Sequence, residues 1–304
     1  MRTKSEMLQV IGKRTALVLL ATLAAVYFLY YAGIRSDVDE TYTFGRPCQQ
    51  CPQTAVDWRT VNVDEITAEQ MLDYFLWTNR SSCRLAHDFG GHMMSSPSGF
   101  DGQKTMCIEP VQLAPPVGKC LVYSFGIDND WTFDEAMASY GCQVYSFDTS
   151  MKVGDHDHTS AIHFFQMGLS NRDSIGDNGW RMRSLSSIYK MLKSKHGDVV
   201  IDYLKMDIEA AEWTIIPQII ESGMMGNVRQ LAFEIHLSID DTLASMRERF
   251  RIVRSIEEQG MVRFDSKLNP WFRGTFKNLG VTGPCGYEIA WYNSKFLPAN
   301  SSVV

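Results

Sequence analysis

The stretch from Cys120 to Met151, CLVYSFGIDNDWTFDEAMASYGCQVYSFDTSM, constrains the fold of this 304-residue chain more than any other. An apolar run ends at Gly126. A helical pattern follows from about Trp131 to Tyr140, and a second apolar run ends at Asp148. Strand, glycine turn, helix and strand in this order open a nucleotide-binding unit. The glycine lets backbone approach a ligand, and the carboxylate at the next strand end can grip a ribose diol. The 22 residues from Gly126 to Asp148 match the roughly 20 that such a unit needs. The fingerprint G-x-G-x-x-G is absent, which argues against a dinucleotide fold.

The alternation continues downstream. Strands are predicted over 121–125, 143–147, 161–166, 199–206 and 230–237. Helices are predicted over 183–195, 212–222 (despite Pro217) and 240–259, and closing strands at 260–265 and 287–292 can form a terminal hairpin. Strands alternating with helices imply an α/β fold, a parallel sheet with helices on both faces. Ligands of such sheets bind at the carboxyl ends of the strands, which places Gly126, Asp148, Asp207 and Glu234 along one rim. Upstream, Thr67 and Gln70 stand at capping-box spacing before Met71, Leu72, Phe75 and Leu76. They predict a helix over 67–80 that packs on the domain. Residues 81–118, rich in Gly, Ser and Pro, read as loops before the fold proper.

Residues 15–34 carry no charge over 20 positions, long enough to cross a bilayer as a helix. Arg2, Lys4, Lys13 and Arg14 precede this run, and Asp37, Asp39 and Glu40 follow it, so the bulk of the chain is expected in the lumen of the secretory pathway. A cleaved signal peptide would instead make the chain secreted. The expected organisation is a cytoplasmic tail (1–14), a single membrane anchor (15–34), a stem (35–63) and a catalytic domain (64–304). All seven cysteines follow the anchor. In an oxidising compartment most should pair, including Cys48 and Cys51, with an odd one left over. Sequons at Asn79 and Asn300 are compatible with lumenal exposure. A net charge of −6 gives no basic footprint for a nucleic-acid partner.

SFGIDNDWTFDEAMASYGCQVYSFDTSM together with YLKMDIEAAEW resembles the methyltransferase-like protein 24 group, which is related to the wider FkbM-type methyltransferases. The resemblance runs from about Phe75 to Tyr292. It implies a Rossmann-like, seven-stranded methyltransferase sheet that uses S-adenosylmethionine. On that likeness Ser124, Phe125, Gly126 and Asn129 belong to the cofactor loop, Asp148 holds the ribose hydroxyls, and Asp207 lies beside the methyl-transfer centre. The family segment DIEG reads DIEA here, with Ala210 in the glycine place. A glycine with positive φ replaced by alanine would cost stability or shift the loop.

Methyl transfer from a sulfonium is an in-line displacement, and a hydroxyl acceptor needs a base for its proton. Asp207 and Glu209 flank a strand end, and Glu234 and His236 share one face of the next strand. These four are the catalytic candidates. Either Glu234 or His236 can serve as base; the acids with His236 can also hold a divalent cation, although no metal is assigned. The bland reading is that Glu234 and His236 cap the sheet edge with hydrogen bonds. The expected acceptor is a hydroxyl on a glycan or small molecule, as FkbM-type relatives imply. Two other readings compete. One is a nucleotide-sugar glycosyltransferase using D-x-D at Asp155–Asp157 or Asp128–Asp130. The other is a binding protein that kept the fold and lost the chemistry. Asp155 to His158 otherwise reads as a solvated turn, Asp177 to Gly179 as a turn, and Trp180, Trp271 and Phe272 as buried aromatics.

Overall fold

One sheet of eight strands organises the chain, and its order decides where the polar residues collect. The computed structural model describes residues 56–95, 98–269 and 273–298. The apolar run 15–34, Cys48, Cys51, Trp271, Phe272 and Asn300 lie outside the described residues. Among the described residues no helix is long and apolar enough to cross a membrane.

Among the described residues four short strands precede the sheet, and the two that bear on the site are β1 (Leu85–Phe89) and β2 (Lys104–Glu109). The sheet itself uses β3 (Leu121–Phe125), β4 (Gln143–Phe147), β5 (His156–Asp157), β6 (Ile162–Phe165), β7 (Ile201–Met206), β8 (Val228–His236), β9 (Met261–Leu268) and β10 (Gly286–Asn293). Their spatial order is β9-β10-β8-β7-β3-β4-β6-β5. Strands β8, β7, β3, β4 and β6 run parallel, whereas β10 is antiparallel to both β8 and β9. The strand order reverses between β3 and β7, the crevice where ligands of open α/β sheets bind. Seven strands match the expectation. The eighth, β5, is a two-residue edge addition antiparallel to β6. It comes from the Asp155–His158 segment, which is therefore not a free turn. His158 lies flat on Trp131, ring centroids 4.1 Å apart, and bonds Glu135 at 3.0 Å.

Side-chain alternation sorts the sheet into two cores. Leu121, Tyr123, Phe125, Leu204, Phe233 and Ile289 face α1 (Ala68–Leu76), α3 (Leu185–His196), α4 (Glu212–Glu221) and α5 (Leu243–Glu258). Val122, Val144, Ile162, Tyr203 and Ala290 face α2 (Thr132–Tyr140) and the β2 residues Met106 and Cys107. Each fully buried apolar side chain of this size contributes about 1.5–3 kcal/mol.

The second face corrects the reading of 81–118 as loops. Strands β1 and β2 pair antiparallel, with Asp88 opposite Thr105. Strand β1, LAHDF, is largely exposed, so no apolar alternation announced it. Cys83 is bonded to Cys107, fixing β2 to the residues before β1, and Cys120 is bonded to Cys142, joining the starts of β3 and β4. Cys285 is free and buried.

The helix expected over 67–80 is α1, and its capping box is formed: Thr67 accepts from the Gln70 amide, and Gln70 accepts from the Thr67 amide. Packing begins before residue 64. Trp58 is buried against Tyr74 and Phe250, with ring centroids at 5.5 and 6.5 Å. Arg263 on β9 is buried beneath α1. It donates to the carbonyls of Tyr74 at 2.6 Å and Trp77 at 3.2 Å, and pairs with Glu257 at 2.6 Å.

Candidate active site

The loop after β3 is built around contacts that need a glycine. Gly126 has φ of +75°, and a Cβ there would lie 1.6 Å from the carbonyl oxygen of Asp207. The Gly126 amide donates to Phe147 O at 2.9 Å, and its own carbonyl accepts from the Lys205 ammonium. Asp128 and Asn129 follow with φ of +41° and +63°. Asp148, at the end of β4, is buried and fastens this loop. Its Oδ2 accepts from the amides of Ile127 (2.9 Å) and Asp128 (3.0 Å), and its Oδ1 from the Ser150 amide and hydroxyl, both at 2.6 Å. Burial raises its pKa, but these hydrogen bonds outweigh burial and hold it below the usual carboxylate value.

The other residues expected in the cofactor loop divide. The Ser124 hydroxyl is buried on Asp134 at 3.2 Å, and Phe125 stacks on Phe147 with centroids 4.5 Å apart. Both therefore offer the loop only backbone. Asn129 is exposed. Asp134, which the sequence reading passed over, is a buried acid on α2 that also accepts from Ser146 at 2.5 Å; burial raises its pKa.

Beyond Asp148 lies a cavity of about 350 Å³, lined by Thr149 to Lys152, Gln166 and Asn178 to Arg181. Asp177 to Gly179 form the expected turn on its wall. Trp180 is exposed on the same wall, not buried as its type suggested. Asp155 pairs with Arg181, Asp157 with His163 at 2.6 Å, and Asp130 with His92 at 3.2 Å. Three of the four acids in the two D-x-D sequences, Asp130, Asp155 and Asp157, thus have partners within the fold.

Sheet register carries one row of polar residues across the carboxyl edge: Asp148, Gly126, Asp207, Glu234, Glu288 and Lys267. Glu234 stands opposite Glu288, and Glu288 opposite Lys267. The residues before Gly126 and Asp148, Phe125 and Phe147, are paired, as are Met206 and Phe233 before Asp207 and Glu234. Lys104 reaches this row from β2. Its ammonium lies 2.5 Å from Glu288 Oε1 and 3.3 Å from Asp207 Oδ2.

Burial pushes the carboxyl groups here up, and position decides which stay ionised. Asp207 is held below the usual value because Lys104, followed by Lys205 and His236, outweighs its burial. Burial pushes Glu234 up, aided by the charges of Glu288 and Asp207 and opposed by Lys104. Asn269 donates to Glu234 Oε1 at 2.5 Å. Glu288 is raised by burial against the opposing pull of Lys104.

His236 completes the group. Its Nε2 stands 3.8 Å from Glu209 Oε2 and 3.7 Å from Glu234 Oε1, and its Nδ1 stands 3.9 Å from Glu212 Oε1. The His236 side chain is 12% exposed, Asp207 24% and Glu209 85%. Glu212 is fully buried, accepts from the Ile208 amide at 2.9 Å, and is pushed by burial up to about 7. Donor atoms of Asp207, Glu209 and His236 lie within 4.8 Å of one another, as do those of Asp207, Glu234 and Glu288. Glu209 and Ala210 both adopt left-handed backbone, with φ of +56° and +69°, so the alanine in DIEA occupies a position suited to glycine.

The structure thus brings the four sequence-chosen residues, Asp207, Glu209, Glu234 and His236, into one cluster. It adds Lys104, Glu212, Asn269 and Glu288, which the sequence reading missed. Glu288 had a signal, a lone acid in the apolar run YEIAWY. Lys104 had none, because its partner lies 184 residues away.

A mixed α/β domain with a large, mostly parallel sheet and a glycine loop at the strand-order reversal defines a methyltransferase-type fold. Residues 82–282, more than half of the chain, match the methyltransferase domain family, and the chain belongs to that family. It is similar to the human protein named Probable methyltransferase-like protein 24, 32% identical over 192 residues, which cover 59% of this chain and 51% of that protein. A rat protein of the same name is 31% identical over 125 residues, covering 39% of this chain and 33% of the relative. The chain spans about half the length, or less, of these curated relatives. The resemblance seen in the sequence is therefore borne out at the level of the group.

Proposed function

We propose that this chain is an S-adenosylmethionine-dependent methyltransferase that O-methylates a hydroxyl acceptor such as a glycan. The carrying observation is the row Asp148, Gly126, Asp207 and Glu234 along the carboxyl edge, with a cavity opening beside Asp148. The residues present fit the methyl donor. An ionised acid stands at the β4 end, polar and apolar groups line the cavity next to it, and the glycine loop leads from there to Asp207. Asp148, whose oxygens hold the Ile127, Asp128 and Ser150 groups, would fix the loop beside the ribose, with Met151 and Trp180 beside the base. Bound there, the donor supplies an electrophilic methyl group on a sulfonium.

The chain's own contribution is alignment and proton removal. His236 is the group placed to take the acceptor's proton, because an imidazole is the side chain most often used for that step. Glu209 and Glu212 face the resulting imidazolium at 3.8 and 3.9 Å. Asp207, held ionised, can accept a hydrogen bond from a second polar group of the acceptor and so orient it, while the reacting hydroxyl gives its single proton to His236.

Placement in the secretory pathway, as a single-pass protein anchored by 15–34, is part of the same reading. The two disulfides among the described residues support it, since such bonds persist in oxidising compartments.

The test is calorimetry of the purified full chain with S-adenosylhomocysteine and, separately, with nucleotide sugars plus Mn2+. An acceptor screen with labelled methyl donor over glycans, lipids and peptides follows. Binding of the nucleotide sugar alone would reject the proposal. Binding of S-adenosylhomocysteine without turnover on any acceptor would favour a protein that kept the fold and lost the chemistry.

A further inference from the structure

Lys104 is the cation of the cluster, and the reaction scheme leaves it unused. Its side chain is 1% exposed, although it carries a charge and comes from β2, outside the main sheet. It stands among Asp207, Glu234 and Glu288, whose oxygens lie within 4.8 Å of one another. Oxygen donors at that spacing suit a hard divalent cation such as Mg2+ or Mn2+. The Glu288 side chain is 10% exposed, and its buried Oε2 makes no hydrogen bond. A further donor atom of the set is thus present and unengaged, while Oε1 meets the ammonium.

We propose that Lys104 is the resident cation of this carboxylate set, its ammonium standing where a divalent ion would otherwise bind. A buried ion pair and a cation site differ in one respect. A pair is satisfied only by its partner, whereas a cation site accepts another cation once the first is removed. The proposal concerns binding alone; only its consequence, that Asp207 meets the acceptor without a metal, rests on the proposed methyl transfer.

Lys104→Ala and Lys104→Ser each remove the ammonium and open the space of its side chain. Mn2+ titration of the purified full chain, followed by electron paramagnetic resonance, should show each variant binding one Mn2+ that the wild type does not bind. Adding Glu288→Gln should weaken that binding about tenfold or more. The melting temperature of the single variants should rise with Mn2+. A folded variant that binds no additional ion overturns the proposal. So does a pair of variants that stay unfolded with and without Mn2+, because an ion replacing the ammonium should restore the fold. A wild-type chain that binds Mn2+ through Glu288 also overturns it. None of these readouts uses a methyl donor, so failure of the methyl-transfer reading would leave them intact.

Discussion

Gly126 and Asp207 meet backbone to backbone: a methyl group on Gly126 would sit 1.6 Å from the Asp207 carbonyl oxygen. The loop that would receive the donor and the strand end that would receive the acceptor are therefore one rigid contact. Gly126→Ala must move one of them while also holding alanine at a φ of +75°. The expected loss is about 3 kcal/mol or more, read by thermal melting, with S-adenosylhomocysteine binding lost in calorimetry. Unchanged affinity in a folded variant would show that the donor sits elsewhere.

Ala210 carries the opposite lesson. With φ at +69°, it pays a strain that glycine would not. Ala210→Gly should stabilise the chain by about 0.5–1 kcal/mol, the relief of strain less the added freedom of the unfolded glycine. Chemical denaturation checks this, and a destabilised variant would contradict the backbone geometry.

Glu212 should tie stability to pH. Its carboxyl is raised from 4.5 to about 7 by burial, with Asp207 and Glu209 adding to the effect; His236 Nδ1 also faces it, at 3.9 Å. Between those values the folded chain holds a proton that the unfolded chain releases. The stability Glu212 contributes is thus full below about pH 4.5 and lost as pH rises through 7, up to about 3 kcal/mol. Glu212→Gln keeps an acceptor for the Ile208 amide and carries no charge. Its stability profile from pH 5 to 8 should be flatter than that of the wild type. An equal slope in both proteins would mean that Glu212 titrates normally.

Arg263 should hold α1 to the sheet. Arg263→Met leaves Glu257 without its buried partner and the carbonyls of Tyr74 and Trp77 without their donor. The expected cost is about 3–5 kcal/mol. In urea denaturation the midpoint should fall, and hydrogen exchange should quicken first in 68–76. Exchange that quickens uniformly would count against a local role.

The sequence was most legible where local pattern coincides with tertiary role. Strands β3 and β4 lie where their apolar runs predicted, because Gly126 and Asp148 end both the apolar pattern and the strand. Glu234 and His236 share a face, as their spacing of two requires. What stayed illegible depends on register and distance. That Glu234 stands opposite Glu288, and that Lys104 enters between Asp207 and Glu288, follows from strand pairing over long separations. Ser124 and Phe125 show the converse limit. The motif marks their positions, but only packing shows that their side chains turn away from the loop into Asp134 and Phe147.

Lys104 and Cys107 lie in the same short strand, and Cys107 is bonded to Cys83. The segment that delivers the ammonium is thus stapled covalently to chain that precedes it. Biosynthetic oxidation would then do more than toughen the protein. It would set the position of a charge on which the neighbouring acids depend, so a thiol-reduced molecule would mature with its edge chemistry untuned even if its sheet had assembled.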